Sequence, residues 1–276
     1  MYPYINLGFA HVGTFGLMLW LAAVAATVVL YRNFIRNGSD ADALNIVTLV
    51  VLSGIVGAKL WHELQNIPDL RAAWREILAP GMSHFTEIFF NFLHWFQAGF
   101  AWYGGLLFGI SALLFQGWWA RIGALRTLDL AAPAAAIGYG IGRIGCFLSG
   151  DGCYGIPTTL PWAMSFPNGI EPTLARVHPT PLYELLAGLI IGYFLWRRGA
   201  KPHGTGAIVG QYLILTGVAR FLVEFVRRNP KILWGLSNAQ LASAGSVLAG
   251  ILLVWWAATR RVTDPGTAPI PVEKVA

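Results

Sequence analysis

The chain has 276 residues, of which 56% are hydrophobic and only 12% charged. Soluble domains carry about 25% charged residues, so half that fraction excludes an ordinary water-soluble globule and points to lipid as the solvent. The net charge of +6 suits basic loops facing anionic headgroups, and without a basic run interleaved with aromatics it argues against nucleic acid as a partner.

Spans of about 20 apolar residues then set the class. Seven are predicted, at roughly 10–31, 43–62, 98–118, 130–149, 181–197, 205–226 and 238–259. The expected fold is an all-α, polytopic membrane protein with seven transmembrane helices. Residues 1–10 lack a basic segment and the first span is full length, so no cleaved signal is expected. Near the end of the second span stand Lys59 and His62, and Lys59 is expected to snorkel toward water.

The connection 63–97 contains a short amphipathic helix at 70–78, stopped by Pro80-Gly81. Ser83 then precedes the aromatic-rich 85–96, which suits a helix lying in the membrane interface as an anchor, with a substrate gate as the alternative. The third span opens with Trp102-Tyr103-Gly104-Gly105. Its paired glycines leave room beside Tyr103, whose hydroxyl can donate to phosphate or relay a proton. An interfacial aromatic explains it equally well.

The fourth span carries Gly138-Tyr139-Gly140-Ile141-Gly142-Arg143-Ile144-Gly145-Cys146. A charge near mid-bilayer costs ~2.5–3.5 kcal/mol on insertion scales and therefore calls for a partner or an anionic ligand. Arginine presents a fixed fork of donors to phosphate, so a phosphate-bearing lipid at Arg143 is the first expectation. Gly140-x-Gly142-x-x-Gly145 matches the dinucleotide fingerprint on paper, but no strand precedes it. The glycines are read as helix-packing positions, including the Gly138/Gly142 pair. Cys146 and Cys153 have no second Cys/His pair at ligand spacing, so no metal is expected; a disulfide requires an oxidising compartment, and Cys146 reads as a small buried residue.

The Pro- and Gly-rich connection 149–179 needs water or protein around its backbone and is expected to form an outer cap. At its end Thr180 reads as a helix N-cap, Pro181 as the first helical residue, and Glu184 as a first-turn carboxylate favoured by the helix dipole. His178 is either a base or a loop polar contact. In the sixth span Arg220 and Glu224 stand four apart on one helical face. Counted with Arg143, the intramembrane charges do not cancel, and an anionic substrate would satisfy the excess cation.

Loop charges set the orientation. One side carries Arg32, Arg36, Arg121, Arg126, Arg197, Arg198, Lys201, Arg260, Arg261 and Lys274, ten in all; the other carries Arg71, Arg75, Arg176, Arg227, Arg228 and Lys231, six in all. The richer side is expected to be cytoplasmic, with the N-terminus outside and the C-terminus inside. Residues 1–260 then form one seven-helix membrane domain, capped on the outside by 63–97 and 149–179. The three-proline stretch 261–276 is expected to be a disordered cytoplasmic tail.

Taken together these stretches resemble the bacterial prolipoprotein diacylglyceryl transferase family. The resemblance runs through Gly16-Leu17-Met18, Gly57-Ala58-Lys59-Leu60, Tyr103-Gly104-Gly105, Gly142-Arg143-Ile144-Gly145, His178-Pro179-Thr180 and Tyr183-Glu184. It continues through Arg220-Phe221-Leu222-Val223-Glu224-Phe225 and Gly235-Leu236-Ser237-Asn238-Ala239-Gln240. It implies seven helices and a multi-pass protein of the bacterial plasma (inner) membrane, surrounded by membrane lipids. It further implies transfer of diacylglyceryl from phosphatidylglycerol to the lipobox cysteine of a prolipoprotein signal peptide, with no cofactor. Arg143, Arg220, Glu224, Tyr103 and Asp151 are the implied catalytic set. Arg143, Gly104, Gly105, Ser149, His178 and Glu184 are the implied substrate contacts.

The chain departs from the family pattern at several of these points. Tyr103 stands where the family usually has the His of His-Gly-Gly, a proposed catalytic base. In the signature Gly-Arg-x-Gly-Asn-Phe-x-Asn-x-Glu, Cys146 and Ser149 replace the two Asn, and Asp151 replaces the Glu. A Tyr early in the first helix is here Phe15. The alternative reading is a divergent homologue that binds or modifies a phospholipid without transferring it to a prolipoprotein.

Overall fold

A computed structural model describes residues 2–6, 8, 11–81, 84–96, 99–259 and 262–263. Ser83, Arg260, Arg261, Lys274 and most of the expected tail lie outside the described residues. Val262–Thr263 falls inside that tail yet pairs as a strand with His203–Gly204.

All seven predicted spans are helical. They are α1 (Thr14–Arg36), α2 (Ala43–Gln65), α5 (Trp102–Trp119), α6 (Ala124–Ser149), α7 (Thr180–Arg198), α8 (Ala207–Val223) and α9 (Asn238–Ala258). Two more helices, α3 (Ile67–Leu78) and α4 (Phe85–Phe96), occupy the first long connection where amphipathic and aromatic patterns predict them. Among the described residues, five helices are long and apolar enough to cross a membrane: α1, α2, α6, α9, and α8 with its 3-10 extension to Val226. Polar residues dilute the other two, α5 through its terminal Trp, Tyr and Gly residues and α7 through Glu184, Arg197 and Arg198. Side chains such as Trp20, Leu52, Ile190 and Leu252 stand exposed on these helices, a surface that lipid rather than water covers. The protein is an all-α membrane protein with short two-stranded ribbons at its edges.

The chain divides into two compact units, Leu44–Arg121 and the remainder. In the larger unit α6 is the hub: half of its apolar window is buried, against 17% for α1 and for α9. Small residues make this possible. On one face Gly138 lies against the Ala22 carbonyl, and Gly145 against Phe15 and Met18. On another, Gly140 and Gly188 bring α6 and α7 so close that a Cβ on Gly188 would stand 2.9 Å from the Ala136 carbonyl oxygen. Gly142 faces open space instead, so the packing positions are Gly138, Gly140 and Gly145 rather than the Gly138/Gly142 pair. Asp129, buried in α6, accepts hydrogen bonds from the backbone N–H of Gly206 (2.6 Å) and Val209 (2.8 Å), and so caps α8 from a neighbouring helix.

The 149–179 connection is folded. Strands β3 (Met164–Phe166) and β4 (Thr173–Val177) pair antiparallel, and Tyr154, Phe166 and Val177 form a small core beneath them. Main-chain bonds tie this segment down: Ile156 N–H donates to Val226 (2.8 Å) and Gly155 N–H to His178 (2.8 Å).

In the smaller unit α2 and α5 meet at Gly57 and Gly104, where a Cβ on Gly104 would run into the Gly57 carbonyl. Lys59 does not snorkel. It is buried, paired with Glu63 at 2.8 Å, donates to the Trp95 carbonyl at 2.8 Å and lies 4.0 Å from that indole's centroid. The aromatic α4 curls an indole over the ammonium, a use of the aromatic run that an interfacial anchor does not require.

Candidate functional site

Glu184 is the centre of the site. It is 4% exposed on α7, and three arginines converge on it from α6, from α8 and from just after the 3-10 turn Glu224–Val226. Arg220 of α8 reaches Oε1 at 3.1 Å, Arg143 of α6 reaches the same oxygen at 3.3 Å, and Arg227 reaches Oε2 at 3.1 Å. Tyr139, one turn before Arg143, donates its hydroxyl to Glu184 Oε1 (2.7 Å) and accepts from Arg143 Nη2 (2.8 Å). Glu184 therefore does not rest on a helix dipole. Thr180 and Pro181 are the first two helical residues, Pro179 takes the cap position, and the carboxylate stands a full turn inside the helix.

Glu224 is the second anchor and is fully buried. It opens the 3-10 turn Glu224–Val226, and its Oε2 lies 2.9 Å from Arg220 and 3.8 Å from Arg227. The expected Arg220/Glu224 pair is thus formed. Ser237 Oγ donates to Glu224 Oε1 (2.8 Å) and the Asn229 amide donates to the same oxygen. Ser237 also forms a capping box with Gln240 at the start of α9. Three guanidinium groups against two carboxylates leave a net charge of +1 among these residues (3 − 2).

Exposure decides which sign the site shows. The Glu184 and Glu224 side chains are 4% and 0% exposed, whereas those of Arg143, Arg220 and Arg227 keep 18%, 26% and 11%. The carboxylates are sealed behind the arginines, so the accessible face is cationic. Burial strengthens the attraction such a face exerts on an anion.

The other expected site residues fall in different places. Asp151 follows α6, partly exposed, and accepts the Cys153 N–H at 3.2 Å. Ser149 is buried and donates to the Cys146 carbonyl (3.3 Å) in the last turn of α6. His178 meets the Tyr183 hydroxyl through Nδ1 at 3.2 Å, and Trp162 Nε1 donates to that hydroxyl at 2.7 Å. Tyr103, exposed, and Gly104, buried, lie with Gly105 at the start of α5 in the smaller unit. Cys146 is buried, Cys153 partly exposed, and both are free thiols. Their sulfurs and an Asp151 oxygen lie within 4.8 Å of one another.

Tyr139, Arg227 and Ser237 are the participants that residue-level reading passes over. Tyr139 carries a local signal, its i, i+4 spacing to Arg143, and Ser-x-x-Gln at 237–240 is a legible capping box. Arg227 has no such mark, because in sequence it is one more loop cation.

The family model described as prolipoprotein diacylglyceryl transferase matches residues 3–256. The chain belongs to this family. A relative from Pseudomonas putida, phosphatidylglycerol–prolipoprotein diacylglyceryl transferase, is 36% identical over 276 residues, covering 95% of this chain and 97% of its own. Relatives of the same name from Methylibium petroleiphilum and Clostridium tetani are 34% and 30% identical, covering 92% and 87% of this chain. Where α6 ends, Cys146 sits beside Arg143, Ser149 closes the helix, and Asp151 stands in the turn that follows.

Proposed function

We propose that this chain transfers the diacylglyceryl group of phosphatidylglycerol to the lipobox cysteine of prolipoproteins, the reaction for which its relatives are named. The observation that carries the reading is the +1 arginine cluster with its carboxylates sealed and its guanidinium edges open. In this reading α5 and α7 also cross the membrane, giving seven spans with the N-terminus outside and the C-terminus in the cytoplasm of a bacterial inner membrane. The 149–179 hairpin and the α3–α4 connection are then the outer cap. The more numerous basic residues on the opposite loops support this orientation.

The chemistry follows from the charges. The acceptor thiolate attacks the glyceryl carbon that bears the phosphate ester; a C–S bond forms, the C–O bond breaks, and glycerol phosphate leaves. Arg143, Arg220 and Arg227 bind the phosphate and neutralise the charge that grows on the departing oxygen. Glu184 and Glu224 hold these guanidinium groups in place, and Tyr139 fixes Arg143 against Glu184. A thiol has a pKa of about 8.5, so the cationic surroundings also favour its thiolate. Asp151 or Tyr103 takes the thiol proton, with His178 as the fallback base. Gly104 and Gly105 enter as substrate contacts on the family resemblance alone.

One observation favours the second reading, phospholipid binding without transfer: Tyr103 replaces the family's usual His, and a phenol with a reference pKa near 10 is a poor base. The deciding experiment is lipidation of a lipobox peptide by the purified protein in phosphatidylglycerol micelles, followed by mass. A thioether product is expected, with a loss of about 10²-fold or more for Arg143→Lys, which keeps the charge but removes the fork. Full activity of that variant refutes forked phosphate recognition; lipid binding without product establishes the second reading.

A further inference from the structure

Two thiols beside the arginine cluster have no part in the transfer just described. Cys146 is in the last turn of α6, and the chain leaves that helix through Gly150 and Gly152, both with left-handed φ (60° and 79°). Left-handed backbone is where glycine costs nothing and other residues are strained. These two turns reverse the chain and return Cys153 to the end of the helix. One nitrogen, Arg143 Nη1, reaches both sulfurs, Cys146 Sγ at 3.6 Å and Cys153 Sγ at 3.8 Å. The thiols lie within 4.8 Å of each other, one buried and one partly exposed. The Asp151 carboxylate is equally near, but a guanidinium against both sulfurs opposes a divalent cation there.

We propose that Cys146 and Cys153 are a reversible disulfide pair, closed by exchange with a small disulfide, and that closing it lowers lipid transfer by drawing the two sulfurs together, out of their positions against Arg143 Nη1. The bond itself stands on the thiol geometry; its effect on activity rests on the transferase reading. Cys153 attacks first. As a thiolate it displaces one thiolate from the small disulfide and forms a mixed disulfide. Cys146 then loses its proton, attacks the Cys153 sulfur and expels the second thiolate. Two protein thiols are oxidised and one small disulfide is reduced to two thiols. The Cys146 thiol, hydrogen-bonded to the Cys153 sulfur, holds Cys153 below the usual thiol range; Arg227 adds to this, while burial and Asp151 oppose it. Closure also ties the 149–179 hairpin covalently to α6, beside the helical turn that carries Arg143.

The chain has only these two cysteines, which makes the test clean. Full-length protein in detergent is incubated with oxidised glutathione, denatured, treated with a maleimide and weighed intact. The expected product is lighter by two hydrogen atoms and takes no maleimide, while protein kept in dithiothreitol takes two. With Cys146→Ser, glutathione should remain trapped on Cys153. A wild-type chain that keeps a glutathione adduct, or still takes two maleimides, overturns the pair. Transfer by the oxidised enzyme should fall at least about tenfold, return with dithiothreitol, and be insensitive to the oxidant in Cys153→Ser. A closed disulfide with unchanged transfer overturns the control of activity. Closure in a protein that never transfers lipid, even reduced, overturns the transferase reading and leaves the thiol pair standing.

Discussion

The two units each bury charge, and they do so to opposite ends. In the smaller unit one ammonium meets one carboxylate: Lys59 pairs with Glu63, the Trp95 carbonyl and ring close over it, and both residues are buried. Nothing is left over. In the larger unit three arginines share two carboxylates, and the side chains that keep exposure are all cationic. A neutral, sealed pair costs desolvation and serves packing; an open cluster with a surplus cation has charge left to attract an anion. Buried charge alone therefore does not identify a site, whereas its stoichiometry and its open side do.

Breaking either cluster by removing one partner should hurt most. Glu184→Ala leaves three arginines with one carboxylate, and Lys59→Met leaves Glu63 unpaired; each is expected to cost about 3–5 kcal/mol, read from thermal unfolding in detergent. If Glu184→Ala melts like the parent, the cluster does not hold α6, α7 and the 3-10 turn together.

Activity should separate the units next. Arg220→Ala is expected to lower lipid transfer by about 10²–10³-fold. The paired replacement Lys59→Met with Glu63→Leu should leave transfer within about threefold and stability neutral or improved by about 1–4 kcal/mol, as for an ion pair exchanged for apolar residues. A large loss of transfer in that double variant would end the distinction drawn between the two sites. The smallest change is Tyr139→Phe, which removes one hydroxyl shared by Arg143 and Glu184. It should cost about 0.5–1.5 kcal/mol in unfolding and reduce transfer by less than the loss of either arginine.

Local spacing made part of this legible. The Arg220/Glu224 pair is four residues apart on one helix, and Arg143 draws notice because an arginine among glycines in a membrane span needs a partner. The seven helices were readable for the same reason, since apolar length is a one-dimensional property. Glu184 was harder, because a carboxylate near a helix start has a sufficient local explanation in the dipole. Its real partners lie 41, 36 and 43 residues away at Arg143, Arg220 and Arg227 (184 − 143, 220 − 184, 227 − 184). Lys59 misled in the opposite sense: Glu63 is its i, i+4 neighbour, but the Trp95 that covers it comes from a separate helix. The hairpin within 149–179 has no periodic signature; strand pairing, the Tyr154, Phe166 and Val177 core and main-chain bonds to Val226 and His178 give it shape.

The serine that starts the last helix has a consequence for biosynthesis. Ser237 caps α9 and also grips Glu224, and Glu224 in turn braces Arg220. A nascent chain halted before residue 237 has every arginine of the site but lacks the hydroxyl that fixes one of its two carboxylates. Full bracing of Glu224 thus waits for the final helix to emerge and dock.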